Sequence, residues 1–178
     1  MDLRMRHGTY GDVAAALEII DDARRFMRAG GNTVQWVDGY PSLDDVLSDI
    51  GHDALMVCED AETGEIVATF CMQTWPEHSY AEIFDGAWVD QMPYGTIHRL
   101  ASKYRRRGIG MHCLRWAQEH FGCLRADTHA DNEAMQALLE RAGFARCGTV
   151  YMDDSTPRIA YHWKRGSAAP STQALRTA

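Results

Sequence analysis

The stretch TIHRLASKYRRRGIGMHCLRWAQEHF, residues 96–121, decides the prediction of the fold. It starts as an apolar strand at Thr96–Ala101, passes through a turn rich in Lys and Arg, and enters a helix at about 109–121. Glycines at 108 and 110 allow the backbone to approach a ligand closely. The free N–H groups and the dipole of the first helical turn favour negative charge there. The pattern therefore predicts a pyrophosphate-binding turn between a strand and a helix.

Three interpretations of this turn compete. The simplest is a solvated basic turn with a glycine cap, because short motifs often occur by chance. A dinucleotide fingerprint would require a third glycine where Cys113 stands, although Asp127 lies at a suitable distance for a ribose contact. The rest of the chain also lacks repeated strand–helix–strand units. The third interpretation is a coenzyme A site.

Hydrophobic periodicity predicts the elements on either side of the turn. Upstream it predicts a strand at 3–6, a helix from Thr9 to Gly30–Gly31, a short helix after Ser42, and a hairpin of Ala54–Cys58 with Ile66–Gln73. Downstream it predicts a strand at Leu124–Thr128, a helix at Asn132–Ala142, and a hairpin of Ala145–Tyr151 with Arg158–Trp163. The aromatic stretch 74–95 has no period, which indicates a loop that is functional or poorly ordered.

These elements predict an α/β (α+β) fold with a mixed, mostly antiparallel sheet of about seven strands and four helices. The one parallel crossover lies near residues 96–128. A chain of 178 residues has room for one domain. We expect that domain to span residues 1–163, and we expect the small, polar segment 164–178 to be a disordered tail.

Composition limits the classes of function. The net charge of −7 argues against a nucleic-acid partner and suits small cationic or neutral partners. The five cysteines form no C-x-x-C pair, so we expect buried free thiols in a reducing compartment rather than a disulfide framework or a zinc site. No stretch approaches 18 apolar residues and no signal core starts the chain, which predicts a cytoplasmic protein without a membrane partner.

Two linked motifs carry a resemblance to a known family. The segment RRRGIG at 105–110 matches the Arg/Gln-x-x-Gly-x-Gly/Ala loop of the GNAT superfamily of acyl-CoA N-acyltransferases. The segment NEAMQALLERAGF at 132–144 resembles the superfamily's downstream helix at Asn132, Leu138, Gly143 and Phe144. Four further segments, QWVDGYP (35–41), YGTIHRLAS (94–102), DTHADN (127–132) and TPRIAY (156–161), are similar to those of a bacterial subgroup.

The resemblance implies acetyl-CoA as co-substrate and assigns roles by position. The fourth and fifth strands would splay apart to admit it, and the backbone at the end of the fourth strand would pair with its pantetheine arm. The implied binding residues are Leu100, Ala101 and Ser102 for the pantetheine arm, Arg105, Arg106, Arg107, Gly108, Ile109 and Gly110 for the pyrophosphate, and Asn132 for the pantetheine or a bridging water.

The chain departs from the family at one important position. Leu139 stands where many members carry a tyrosine that serves as general acid for the leaving thiolate. A thiol with a pKa near 8.5 is a fair leaving group without an acid. Tyr151 and Tyr161 are other possible acids, or they simply pack with a polar tip. The departure keeps open a non-catalytic CoA-binding sensor or scaffold, and transfer of a longer acyl group is a second enzyme alternative.

Acyl transfer to an amine with a pKa near 10.4 needs a group that takes a proton. Asp127, His98 and His129 are the candidates, since each lies on or beside the two central strands. The alternative for Asp127 is a capping or ion-paired carboxylate, and for His98 it is a hydrogen-bonded structural histidine. Alternate spacing of Asp127, His129 and Asp131 is weak evidence for a metal, and we predict none.

The aromatic residues Trp36, Tyr40 and Trp75 lie in segments where this fold would build its acceptor pocket, with Tyr80 and Trp88 nearby. They could form a wall for an amine, or they could cover the sheet as core residues. The sequence thus predicts transfer of an acetyl group to a primary amine of a small molecule or peptide. No cysteine looks activated, so we expect direct attack in a ternary complex. A homodimer is a possible assembly.

Overall fold

The computed structural model describes residues 2–103 and 108–166. Within them the chain forms seven strands and four helices, the class and the element count that the sequence predicted. The strands are β1 Leu3–His7, β2 Leu55–Asp60, β3 Ile66–Gln73, β4 Gly95–Ser102, β5 Cys123–Thr128, β6 Ala145–Tyr151 and β7 Pro157–Lys164. The helices are α1 Val13–Ala29, α2 Leu43–Gly51, α3 Ile109–His120 and α4 Glu133–Arg141.

The strands form one sheet in the order β1-β2-β3-β4-β5-β7-β6. Neighbouring strands are antiparallel except for β4 and β5, which run parallel and are joined through α3. This matches the single parallel crossover near residues 96–128. Because the crossover lies in the middle of the sheet, β4 and β5 are the central strands.

Alternation along the strands separates two layers of core. In β2, Leu55 and Val57 pack with α1 and α2, whereas Met56 and Cys58 point to the opposite face. That opposite face packs against α3 and α4. The sheet is therefore covered on both sides, which explains why every residue of β3 is buried.

Side-chain hydrogen bonds fix the start of α2 and the short turn that leads into α1. At α2, Ser42 Oγ accepts a bond from Asp45 N, and Asp45 Oδ2 accepts one from Ser42 N at 2.7 Å. Before α1, Asp12 accepts a bond from Thr9 N and is also held by both terminal nitrogens of Arg6 at 2.8 Å. The bond from Arg6 holds the pKa of Asp12 well below its usual range.

The aperiodic stretch 74–95 is packed rather than poorly ordered. It contains a short 3-10 turn at His78–Tyr80, and Phe84 pairs with Thr149 of β6. The Arg125 guanidinium lies 4.0 Å from the ring centroids of both Trp88 and Tyr94. Aromatic contacts between distant segments hold this stretch, and such contacts leave no periodic signal in the sequence.

Three residues of the predicted tail, 164–166, lie within the described part of the chain. Strand β7 continues to Lys164, and Arg165 Nη2 donates to the carbonyl oxygens of Gln118 and Glu119 at the end of α3. Arg165 thus caps carbonyl groups that have no partner within the helix. Residues 167–178 of the predicted tail lie outside the described residues.

The central strands part halfway along their length. Strands β4 and β5 are paired only from Gly95 with Leu124 to Ile97 with Ala126. Directly afterwards β4 contains a β-bulge. His98 pairs with Cys71 of β3 and Ala101 pairs with Thr69, and the register shifts between these two pairs. A bulge bends its strand, and β4 runs on to Ser102 beside β3 alone. This part of β4 therefore leaves its backbone open on the side of β5.

Candidate active site

A cavity of about 890 Å³ opens where β4 and β5 separate. Its walls come from the ends of these two strands, the N-termini of α3 and α4, the connection between α1 and α2, and the turn between β6 and β7. Elements from the whole chain therefore surround one space, and most of the predicted site residues line it.

The N-terminus of α3 forms one end of the cavity. Gly108, the N-cap residue, has a φ of +89° and no side chain to cap the helix. A left-handed φ of this kind suits glycine. The N–H groups of the first turn have no partner within the helix, and Gly108, Ile109 and Gly110 all line the cavity. This end fits a phosphate-bearing ligand.

The three arginines predicted for this loop, Arg105, Arg106 and Arg107, lie outside the described residues. Leu100, Ala101 and Ser102 line the cavity along the part of β4 that has left β5. Their backbone is open to a ligand that pairs like an added strand.

Asn132 lines the same cavity, but its side chain is engaged by the chain itself. Its Oδ1 accepts a bond from Met135 N at 3.1 Å, which caps α4. Its Nδ2 donates to Gln35 Oε1 at 3.0 Å, and Asn32 Nδ2 donates to the same oxygen at 2.9 Å. The connection between α1 and α2 is thereby tied to the start of α4 across the open cleft.

His98 and Asp127, which the sequence placed on neighbouring strands, meet in the cavity. His98 Nδ1 lies 3.9 Å from Asp127 Oδ2, and His98 Nε2 lies 3.2 Å from Glu77 Oε2. Tyr80 donates its hydroxyl to Asp127 Oδ2 at 2.7 Å. The side chains of His98, Glu77 and Asp127 are 16%, 14% and 10% exposed, so the group is largely shielded from water.

The protonation states of this group follow from its contacts. The hydrogen bond with His98 is the largest influence that lowers the pKa of Glu77 to about 2, so Glu77 is a carboxylate near neutrality. Burial raises the pKa of Tyr80 well above its usual value, and the nearby Asp127 raises it further. Tyr80 therefore stays protonated and can only be the donor to Asp127.

The bulge in β4 shapes the acceptor side of the cavity. Arg99 has a φ of +56° and directs its guanidinium to Asp49 Oδ1 at 2.5 Å and to the Tyr40 hydroxyl at 3.1 Å. Tyr40 and Trp36 both line the cavity. The ion pair with Asp49 neutralises Arg99, so this wall presents an aromatic surface rather than a free positive charge.

Two predicted site residues are not brought to the cavity wall. Trp75 is 39% exposed and packs on His52, with ring centroids 5.2 Å apart. His129 Nδ1 accepts a hydrogen bond from Asp131 N. Neither Trp75 nor His129 lines the cavity. Both follow the end of a strand, where the chain turns away and the side-chain alternation of the strand no longer applies.

The alternative acids and nucleophiles also lie elsewhere. Tyr161 is buried and donates to Glu140 Oε1 at 3.3 Å, and Tyr151 packs edge-on against Phe84. Neither lines the cavity, whereas Leu139 does and is 1% exposed. All five cysteines are free and buried, and none contributes to the lining. Burial raises the pKa of Cys71 to about 12.

Within the described part of the chain, one group has the composition of a metal site. Ligand atoms of Asp90, Cys123 and His162 lie within 4.8 Å of one another, with Cys123 Sγ 3.0 Å from His162 Nε2. Lys164 Nζ already holds Asp90 Oδ2 at 2.7 Å, so the carboxylate has a cation. None of the three lines the cavity.

The sequence pattern places Tyr80 only near the expected aromatic wall of the acceptor pocket and does not single out Glu77. Both lie in the stretch 74–95, where no periodicity fixes which way a side chain points. The available signal was a pair of polar groups, Glu77 and Tyr80, close after a buried strand. The partner residues His98 and Asp127 are distant in sequence, so the cluster could not be assembled from spacing.

Comparisons with known proteins agree with this geometry. A sequence model described as acetyltransferase (GNAT) family matches residues 18–144. A GNAT-family acetyltransferase from Streptococcus agalactiae is 28% identical, with a TM-score of 0.85 over 93% of this chain and 96% of that one. A search of curated protein sequences finds no match.

Two more distant structures share the fold. A GNAT-family acetyltransferase from Listeria monocytogenes is 16% identical, with a TM-score of 0.67 over 91% of this chain and 94% of that one. The ribosomal-protein-S18-alanine N-acetyltransferase of Escherichia coli is 17% identical, with a TM-score of 0.59 over 96% of this chain and 98% of that one. At these identities the likeness concerns the fold alone.

Proposed function

Since this chain belongs to the GNAT family of acetyltransferases and is an acetyl-CoA-dependent N-acetyltransferase, we propose that its acceptor is a primary amine of a small molecule or peptide. The amine attacks directly in a ternary complex. One observation carries the proposal: a single cavity joins the N-terminus of α3 to the pair formed by His98 and Asp127.

Acetyl-CoA supplies the activated acetyl group as a thioester whose thiolate leaves. For its phosphates the described residues offer the first-turn N–H groups of α3 at Gly108, Ile109 and Gly110. The open backbone of Leu100, Ala101 and Ser102 would hold the pantetheine arm and turn an N–H toward the thioester oxygen. Asn132 contributes by tying Gln35 over the cleft.

The acceptor arrives as an ammonium ion and must lose a proton before its nitrogen can attack. His98 takes that proton, while Asp127 holds the ammonium by charge. The C–N bond forms as the C–S bond breaks, and the nitrogen loses a second proton. This proton converts the departing thiolate into a thiol. The net reaction turns an ammonium ion and a thioester into an amide, a thiol and one proton. His98 then returns its proton to solvent.

No general acid is required in this scheme. Leu139 occupies the family's usual tyrosine position, and its apolar side chain helps exclude water from the cavity. The five cysteines lie away from the lining, which supports direct attack over a covalent enzyme intermediate. Assignment to an acetyltransferase family favours the enzyme over a CoA-binding scaffold.

The helices and the net charge bear on where the protein works and with which partners. No described helix is both long and apolar enough to cross a membrane. The net charge of −7 supports a protein that works without a nucleic-acid partner. We further propose a single domain in the cytoplasm that uses no metal, with a homodimer as the candidate assembly.

The test measures release of free CoA from acetyl-CoA with a panel of primary amines and peptides. We expect H98Q to lower kcat by about 100-fold, the lower end of what a positioned base contributes. We expect D127N to raise the KM for the amine, because the charge that holds the ammonium is lost, and we expect CoA affinity to be unchanged in both variants. The variant H52Q is the matched control, since His52 lies outside the cavity and should keep wild-type turnover. Full activity in both cavity variants would contradict the roles assigned to these residues.

A further inference from the structure

The contact between Glu77 and His98 determines which nitrogen of the imidazole carries a proton. Glu77 is a carboxylate, so its oxygens can only accept. Glu77 Oε2 faces His98 Nε2 at 3.2 Å, and therefore Nε2 must be the N–H. In neutral His98 the other nitrogen, Nδ1, is then left with its lone pair.

Glu77 is itself held in a fixed position. Its Oε2 accepts a bond from Gln73 Nε2 at 3.2 Å, and its Oε1 accepts one from Ser79 N at 3.1 Å. The carboxylate thus has partners on both oxygens and is 14% exposed. A group held in this way keeps the imidazole ring in one orientation.

On the other side of the ring, two acceptors face each other. His98 Nδ1 and Asp127 Oδ2 are 3.9 Å apart, too far for a hydrogen bond. The donor that Asp127 Oδ2 does have is the Tyr80 hydroxyl at 2.7 Å, which fixes the carboxylate. Two neighbouring acceptors of this kind suit an ammonium group, which has several N–H donors and can donate one to the nitrogen and one to the carboxylate oxygen.

We propose that Glu77 is a positioning residue that fixes the Nε2–H form of His98, so that Nδ1 is the atom that takes the proton of the acceptor amine. This rests on the proposed function, because it refines the step in which His98 acts as base. The ammonium group binds between His98 Nδ1 and Asp127 Oδ2. When Nδ1 takes the proton, the positive imidazole lies between two carboxylates.

The charges around His98 come from several elements. Asp127 is flanked by Arg158 Nε of β7, 3.8 Å from its Oδ1, and Glu77 Oε1 lies 3.2 Å from His78 Nδ1. The titratable and charged groups that surround His98 are Glu77, His78 and Tyr80 after β3, Cys71 in β3, Arg99 in β4, Asp127 in β5, Arg158 in β7 and Tyr40 before α2. The two carboxylates nearest the ring are Glu77 and Asp127.

The kinetic test compares Glu77→Gln with Glu82→Gln across pH. Glu82 is exposed in the same stretch and lies outside the cavity, so it loses an equal charge without touching His98. In Glu77→Gln we expect kcat to fall at least about tenfold, as expected for a weakened base. We also expect the acid limb of kcat/KM to move to lower pH, because a carboxylate beside the positive imidazole is gone. An unmoved acid limb would overturn the proposal.

A double-mutant cycle separates positioning from a structural effect, since Glu77 also caps the turn at His78–Tyr80. If Glu77 acts through His98, adding Glu77→Gln to His98→Gln should cost no further turnover. Losses that multiply fully in the double variant would show a role independent of His98 and overturn the proposal. Rescue of the pH profile by Glu77→Asp, which restores the charge, would support it.

A spectroscopic measurement keeps this inference separable from the proposed function. In protein labelled with nitrogen-15 histidine, we expect the NMR signals of neutral His98 to show the Nε2–H form, and to show a mixture of forms in Glu77→Ala. This readout needs no substrate. Observation of the Nδ1–H form in the wild type would overturn the inference, whereas failure of every amine in the CoA-release assay would overturn the proposed function.

Discussion

Arg99 shows how a single backbone conformation shapes the site. Its φ of +56° is in the left-handed region, where a side chain other than glycine costs about 1 kcal/mol or more. The residue is held there by its ion pair with Asp49 and its bond to Tyr40. The bulge at this position ends the pairing of β4 with β5 and so opens the cavity. Local strain and site geometry thus share one cause.

A pair of substitutions tests this conformation. Both R99A and R99G lose the contacts with Asp49 and Tyr40, but only glycine adopts the left-handed φ freely. We therefore expect R99G to be more stable than R99A by about 1 kcal/mol in urea denaturation.

Strand β1 provides the control, because Arg4 is exposed there and has no positive φ. At that position the usual order should hold, with R4A more stable than R4G by about 0.5–1 kcal/mol. The same order at both positions would contradict the left-handed assignment of Arg99.

At the scale of one element, α3 connects the two central strands, β4 and β5. Its first turn faces the cavity, while its last carbonyl groups are capped by Arg165 from the end of β7. The cap from Arg165 fixes the C-terminal end of the helix to the end of β7. Its N-terminal dipole and free N–H groups lie beside the open part of β4 in the cavity, an arrangement that favours a phosphate-bearing ligand.

Adding a side chain at the N-terminus of α3 should block CoA. A Cβ atom at Gly110 would lie 3.0 Å from Leu138 Cδ2, and a glutamate there would add negative charge beside the phosphates. We expect G110E to weaken CoA binding by about 100-fold or more, which is about 2.7 kcal/mol, because the added side chain and its charge would occupy the space proposed for the phosphates.

Gly122 offers the matched control for this change. It follows α3 at the other end, and nothing lies within 4 Å of a Cβ built there. G122E adds the same charge and should retain CoA binding in isothermal titration calorimetry. Wild-type affinity in G110E would place the phosphate site elsewhere.

At the scale of the whole molecule, buried His162 makes stability depend on pH. Burial is the main cause that lowers the pKa of His162 to about 4. The unfolded chain binds a proton at this residue below about pH 6.5, but the folded chain does not until about pH 4. Folding stability should therefore fall as pH falls through this window, by on the order of 2–3 kcal/mol from this residue.

The variant H162Q removes the titrating group and keeps a polar side chain near Cys123. We expect its free energy of unfolding to change less than that of the wild type between pH 6.5 and 4.5. Within this range Glu77 contributes little to the pH dependence, because its ordinary pKa of 4.5 and its lowered pKa of about 2 both lie at or below the range. Equal pH slopes in both proteins would mean that His162 is charged in the folded state.

How much the sequence could predict depends on the range of the interactions involved. The start of α3 after Gly108, the start of α2 after Ser42 and the periodic helices rest on residues within a few positions of one another, and these features were predicted correctly. Trp75 and His129 were predicted as site residues, and neither lines the cavity. Each follows a strand end, where alternation stops being informative.

The amino-acid sequence alone determined the family pattern, the order of strands and helices, and the helix start that suits a phosphate. These follow from backbone preferences and hydrophobic period, which act locally. Only the tertiary structure decided that Glu77 faces His98, that Tyr80 holds Asp127, and that Gln35 reaches Asn132. Those contacts join residues about 20 to 100 positions apart, and it is the bend in β4 and the packing of an aperiodic loop that set which side chains meet.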